Sequence, residues 1–208
     1  MRYPLKLIPV SANLSIYAPD YEQVKETYEL LLEAHPDELF PYWAKLWPSS
    51  IAMDQFLQAN TSWVKQKKVL EIGAGLGLPS LAIAGIVKSI EVTDYAPEAV
   101  ELLEKNIQHL QLSNIKAKQL DWNDNPDTIV ADVLVLSDVN YNPGEFDGLM
   151  HLINQCIDRG TIVLLATPHR IMASPFVNAL QQLVRQSHIE LVNENGKSVE
   201  ISILVLSK

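Results

Sequence analysis

The sequence predicts an α/β fold: a sheet of five parallel strands closed by a C-terminal antiparallel pair, with helices on both faces and an N-terminal helical extension. Three observations lead there. From Lys67 onward, short β-branched runs alternate with segments of helical period, the pattern of parallel strands joined by crossover helices. The last two apolar runs are separated by a turn too short for such a crossover, so they must be antiparallel. A length of 208 residues with 48% hydrophobic content suffices for one sizeable core.

The elements follow in order. Asp20 with Gln23 three residues on makes a capping-box start for a helix bearing Val24, Tyr28, Leu31 and Leu32. The segment "PYWAKLWPSS" then leads into a second helix reaching about Ala59. Residues 1–60 thus read as a cover on a domain of residues 61–208, within one structural unit. Strands are expected at 67–73, 89–94, 115–121, 132–138 and 160–167, then at 189–195 and 198–206 around a Gly196-Lys197 turn. Pro97 opens a helix whose Ala99, Leu102, Leu103, Ile107 and Leu110 repeat at three and four. Asn142, Pro143 and Glu145 supply an N-cap, a first-turn proline and a capping acid for a helix with Phe146, Leu149, Met150 and Ile153 on one face. Ser174-Pro175 opens a last helix with Phe176, Leu180, Leu183 and Val184 aligned.

Composition narrows the function classes. With a net charge of −9 and no cluster of Lys and Arg, the chain does not read as a nucleic-acid binder; its partner is more plausibly a cation or a basic surface. The longest apolar runs, 162–166 and 201–206, fall far short of the roughly 20 residues that span a bilayer, and no signal-peptide core opens the sequence. A soluble, cytoplasmic, monomeric protein is expected. Cys156 is alone, which rules out an internal disulfide and a zinc site of paired-cysteine spacing. His35, His109, His151, His169 and His188 are scattered without ligand spacing, so no metal is expected.

The strongest local signal is "VLEIGAGLGLPSLAIA", which puts Gly73, Gly75 and Gly77 where the first parallel strand meets its helix. Glycines there let the backbone approach a ligand and turn free N–H groups toward it. A dinucleotide loop of GxGxxG form would need glycine at position 78, where Leu78 stands, so NAD and FAD are disfavoured. No GK[ST] follows, which disfavours ATP. The remaining form, Glu-x-Gly-x-Gly-x-Gly led by Glu71, resembles the first motif of S-adenosylmethionine-dependent methyltransferases of the Rossmann-like seven-strand class. Asp94, 21 positions after Gly73, stands where a carboxylate should accept hydrogen bonds from ribose hydroxyls. Ala74 in the loop and Tyr95 beside Asp94 belong to the same expected cofactor site.

Beyond that loop, "PYWAKLWPSS", "LEIGAGLGLPSLA", "VTDY", "LDW" and "SDVNY", taken in order over Pro41 to Thr167, resemble the seven-β-strand protein lysine methyltransferases. The resemblance implies that Trp47 contacts the cofactor, that Asp121 and Trp122 line its adenine, and that Ser137 lies close to it. It further implies that Asp138 and Tyr141, an Asp-x-x-Tyr motif after the fourth strand, meet the acceptor amine, with S-adenosyl-L-methionine as donor and a lysine on a protein substrate as acceptor. Asp138 would bind and orient the incoming ammonium, since a carboxylate stabilises the charged form and is a poor base for it. Two other readings remain: methylation of a small amine or a nicotinamide-like pyridine, and a non-catalytic cofactor-binding interaction module.

Overall fold

A computed structural model describes residues 2–11, 13–123 and 130–208 of the protein. A hairpin of β1 (Leu5–Ser11) and β2 (Leu14–Pro19) precedes α1 (Tyr21–Ala34) and α2 (Pro48–Ala59). Then come β3 (Lys68–Ile72), α3 (Leu78–Ile83), β4 (Ser89–Asp94), α4 (Pro97–His109), β5 (Ile115–Gln119) and β6 (Val133–Ser137). The chain ends with α5 (Phe146–Asp158), β7 (Ile162–Pro168), α6 (Ser174–Ala179), β8 (Val184–Glu194) and β9 (Lys197–Leu206). Seven strands form one sheet in the order β5-β4-β3-β6-β7-β9-β8. Strands β3 to β7 pair in parallel, and β9 runs antiparallel to both β7 and β8.

That order has a functional consequence. The chain winds outward from β3 to β4 and β5, then returns to lay β6 on the other side of β3. Between β3 and β6 the loops part in opposite directions, and the crevice so formed lies beyond the carboxyl ends of the strands.

Period-two alternation gives each face its core. Val69, Val92, Val133, Val135, Leu164 and Ile203 point to one side, against Met53, Phe56 and Leu57 of α2 and Leu102 and Leu103 of α4. Leu70, Ile72, Leu134, Leu136, Val163 and Leu165 point to the other, against Leu149, Leu152, Ile153 and Cys156 of α5 and Phe176 of α6. Each fully buried aliphatic side chain contributes about 1.5–3 kcal/mol. Among the described residues no helix is long and apolar enough to cross a membrane.

The N-terminal cover is not wholly helical. The period-two pattern of "LKLIPVS" and "LSIYAP" makes a hairpin, which docks through one polar group on the apolar face of α4. Asn106, fully buried, accepts from the Tyr17 N–H at 2.7 Å and donates to the Tyr17 carbonyl at 3.0 Å, as a neighbouring strand would. The helix after Ser174 is also shorter than its apolar spacing predicts. It stops at Ala179, and Val184 already begins β8, because that side chain pairs with Leu206 in the sheet. The hairpin turn sits at Asn195-Gly196, both with positive φ, one residue earlier than expected. Asp20 caps α1 by accepting from the Glu22 N–H, and a short 3-10 turn, Pro143–Glu145, precedes α5.

Replacing Asn106 with Leu strands the Tyr17 peptide in an apolar setting. We expect a loss of about 1–3 kcal/mol in urea denaturation, with faster proteolytic clipping within the first 19 residues.

Candidate active site

A cavity of about 360 Å³ opens over the carboxyl ends of β3, β4 and β6, at the crevice set by the strand order. Its floor is the turn Gly73-Ala74-Gly75-Leu76; Asp94 and Tyr95 flank it, as do Trp122, Ser137, Asp138, Val139 and Tyr141. Residues Tyr42, Trp43, Lys45, Trp47 and Ser50 close it from the N-terminal side, and Arg170 and Met172 from the loop after β7.

The floor is shaped by backbone that side chains would disturb. Gly73 has φ +64, and a Cβ there would lie 2.9 Å from Val139 Cγ1, so the turn and the loop after β6 are in contact. Gly77, at φ +70, lies off the cavity wall: a Cβ would meet Leu103 at 2.4 Å, so this glycine serves the packing of the turn against α4. Asp94 holds the turn in place. Its Oδ2 accepts from the Gly75 N–H at 2.9 Å and its Oδ1 from the Ala96 N–H at 3.0 Å. Burial raises the Asp94 carboxyl above the usual range, opposed by the N–H groups of Ala96, Gly75 and Tyr95.

Glu71 is likewise off the wall, fully buried beneath the turn. Its Oε2 accepts from the Ser80 N–H of α3 at 3.1 Å, and its Oε1 has no protein partner. Burial pushes its carboxyl up to about 7, with the Ser80 contacts opposing and the Asp94 charge adding to the rise.

Three aromatic groups meet at the N-terminal side. Trp47 is the N-cap residue of α2 and donates its indole N–H to the Tyr42 carbonyl at 2.8 Å. Lys45 Nζ lies 4.2 Å from the centre of the Trp47 ring and pairs with Glu194 at the end of β8 at 2.7 Å. The rings of Tyr42 and Tyr141 stand 5.2 Å apart at the rim. Burial, aided by the fields of Tyr95, Asp94, Tyr42 and Asp138, pushes the Tyr141 phenol up to about 12, so it stays protonated at ordinary pH.

Asp138 follows β6 with φ +61, in the left-handed region, and its N–H continues the sheet by donating to the Ala166 carbonyl at 2.9 Å. Such a conformation in a non-glycine residue costs about 1–3 kcal/mol and is held by its surroundings. Part of that hold is Asn140, fully buried, which donates to Thr167 Oγ1 at 2.9 Å and ties the loop to β7. Both Asp138 oxygens are engaged by Arg170, one by Nη1 and the other by Nη2 at 2.9 Å.

Of the residues singled out in the sequence, the cavity gathers Trp47, Gly73, Ala74, Gly75, Asp94, Tyr95, Trp122, Ser137, Asp138 and Tyr141. Asp121 lies off the wall with Glu71 and Gly77; it is exposed and accepts from the Asn123 N–H at 2.9 Å. Sequence reasoning missed Arg170, a single basic residue without a local motif, Met172, and Tyr42, Lys45 and Ser50, which lie inside "PYWAKLWPSS" but were not singled out in it. A nucleoside ligand fits what is there. Ser137 Oγ and Trp122 Nε1 are buried polar atoms on the wall without a protein partner, and Asp94 keeps lone pairs for hydroxyl donors. Among the described residues no group of three His, Cys, Asp or Glu side chains converges on a metal-sized site.

Comparison with known proteins adds a family. A model described as lysine methyltransferase matches residues 25–183. A protein N-terminal and lysine N-methyltransferase of Schizosaccharomyces pombe is 34% identical over 146 residues, covering 62% of this chain and 57% of that protein. The chain therefore spans little more than half of that relative's length. A protein N-lysine methyltransferase of Danio rerio is 26% identical over 175 residues, covering 78% of this chain and 79% of its own. The N-methyltransferase NodS of Bradyrhizobium japonicum, solved with S-adenosyl-L-homocysteine, superposes with a TM-score of 0.62 at 15% identity over 86% of this chain and 98% of that one. At such identity the likeness concerns the fold.

The Glu71 carboxyl ties stability to pH. Its folded value lies above its unfolded one, so the folded state holds the extra proton between them. Stability is fully present below about pH 4.5 and declines as pH rises to about 7, by on the order of 3 kcal/mol from this group. In urea denaturation Glu71→Gln should flatten that decline, leaving the slope from Asp94, whose shift has the same sign.

Proposed function

The chain belongs to the lysine methyltransferase family, and from that premise we propose that it is an S-adenosylmethionine-dependent N-methyltransferase acting on a lysine side chain of a protein. One observation supports this most: a single cavity at the switch point joins the Gly73–Leu76 turn and Asp94 to Asp138 and Tyr141. When bound, S-adenosylmethionine supplies a methyl group activated by a sulfonium.

The residues of this chain do the rest. The close backbone of the turn, Asp94, Ser137 and Trp122 would hold the donor, with Trp47 closing the N-terminal side. Asp138 would accept an N–H of the acceptor amine and aim its lone pair, and alignment of that kind is worth roughly 7–11 kcal/mol of barrier. Tyr42, Tyr95 and Tyr141 line the approach and would exclude water while their ring faces accommodate an amine. A protein acceptor is favoured over a small amine by the rim, where Met172, 54% exposed, lines the cavity with the three tyrosines and its chain neighbour Ile171 is 94% exposed.

Incubating the protein with radiolabelled S-adenosylmethionine and lysate from cells lacking it tests the assignment. Label is expected in protein bands as methyl-lysine; label confined to the small-molecule filtrate would favour a small amine acceptor instead. Asp138→Ala should lower transfer about 10²-fold or more while calorimetry shows S-adenosylhomocysteine binding retained.

A further inference from the structure

The bidentate contact between Arg170 and Asp138 bears on the central difficulty of amine methylation. A lysine side chain has a pKa near 10.4, so at neutral pH almost all of it is ammonium, which has no lone pair to attack a methyl group. A bare carboxylate beside the amine would make this worse, raising its pKa by about one to three units. The Asp138 side chain is only 7% exposed, where such a field is weakly screened. Here, however, the carboxylate is met by a guanidinium through both oxygens. Each oxygen keeps a further lone pair, so Asp138 can still accept an amine N–H.

The rest of the wall agrees with that balance. Among the described residues it carries two carboxylates, Asp94 and Asp138, and Asp94 is occupied by the Gly75 and Ala96 N–H groups. Lys45, the second cation on the wall, is paired with Glu194. Tyr42, Tyr95 and Tyr141 face the same space, and His169, next to Arg170, is turned toward Ser202 Oγ at 2.9 Å.

We propose that Arg170 is a positioning residue that keeps Asp138 electrically balanced, so that the acceptor amine is held by a hydrogen bond in its uncharged, nucleophilic form. The inference rests on the amine-methylation reading above. On entry the ammonium loses one proton to water. The nitrogen lone pair then forms the N–C bond while the methyl–sulfur bond breaks, its electron pair staying on sulfur, and the methylated product carries the positive charge.

The test is the pH dependence of initial rates, from about pH 6 to 10, with radiolabelled S-adenosylmethionine and the lysate acceptor, counting methyl-lysine after acid hydrolysis. Arg170→Gln should move the midpoint of the rising limb up by about one to three pH units, with the loss greatest near neutrality and recovering in alkali. Arg170→Lys, which keeps the charge, should leave the midpoint near that of the unmodified protein. Asp138→Asn, which leaves the guanidinium unopposed, should move it down, and this arm stands even if Arg170→Gln folds poorly. If either Arg170→Gln or Asp138→Asn lowers the rate by one factor at every pH with an unmoved midpoint, the proposal fails while the methylation reading stands. No methyl-lysine from the unmodified protein overturns both.

Discussion

The Asp94 carboxylate is the joint on which the rest of this molecule depends. It ends β4, yet its two oxygens fix the turn after β3 through Gly75 and the start of α4 through Ala96. The loops that follow β3 and β4 are thereby tied to one group. A buried carboxylate costs several kcal/mol in desolvation, and the converging N–H dipoles offset it. The N-terminal cover is locked to the same place, because a Cβ on Gly75 would sit 3.1 Å from the Trp43 carbonyl oxygen. Strand order makes a crevice; this joint gives the crevice a fixed floor.

On that floor the cavity divides by chemistry. One part, made by the ends of β3 and β4 with Ser137 of β6 and Trp122 after β5, offers neutral donors and partly used acceptors. The other part holds paired charges, Asp138 with Arg170 and Lys45 with Glu194, beside Tyr141, whose phenol stays protonated. The first suits a nucleoside with ribose hydroxyls. On the proposed reading the second part receives the acceptor amine, which must lose its charge before it reacts.

Much of this was legible in the sequence, for local reasons. Strands and helices from Lys67 onward announce themselves through period, proline starts and caps, and the glycine turn, Asp94 and the Asp138-Tyr141 pair lie at strand ends that such patterns locate. What was not legible depends on contacts distant along the chain. Asn106 reads as one polar residue on an apolar helix face, and its partner, the Tyr17 backbone, lies 89 residues earlier. The hairpin it holds is short and interrupted by Pro9, so its alternation is weak. Val184 fits a helix face by spacing and joins a strand because Leu206 is opposite it. Arg170 is 32 residues from Asp138, and nothing local marks it as part of the site; Lys45 lies inside "PYWAKLWPSS", but its partner Glu194 is 149 residues away.

Whether the floor built on Asp94 holds S-adenosylmethionine is read most directly by calorimetric titration of the intact protein. Saturable binding of S-adenosylhomocysteine at one site per chain, weakened by Asp94→Ala, is the predicted result. Binding of NADH with no heat from S-adenosylhomocysteine would contradict it.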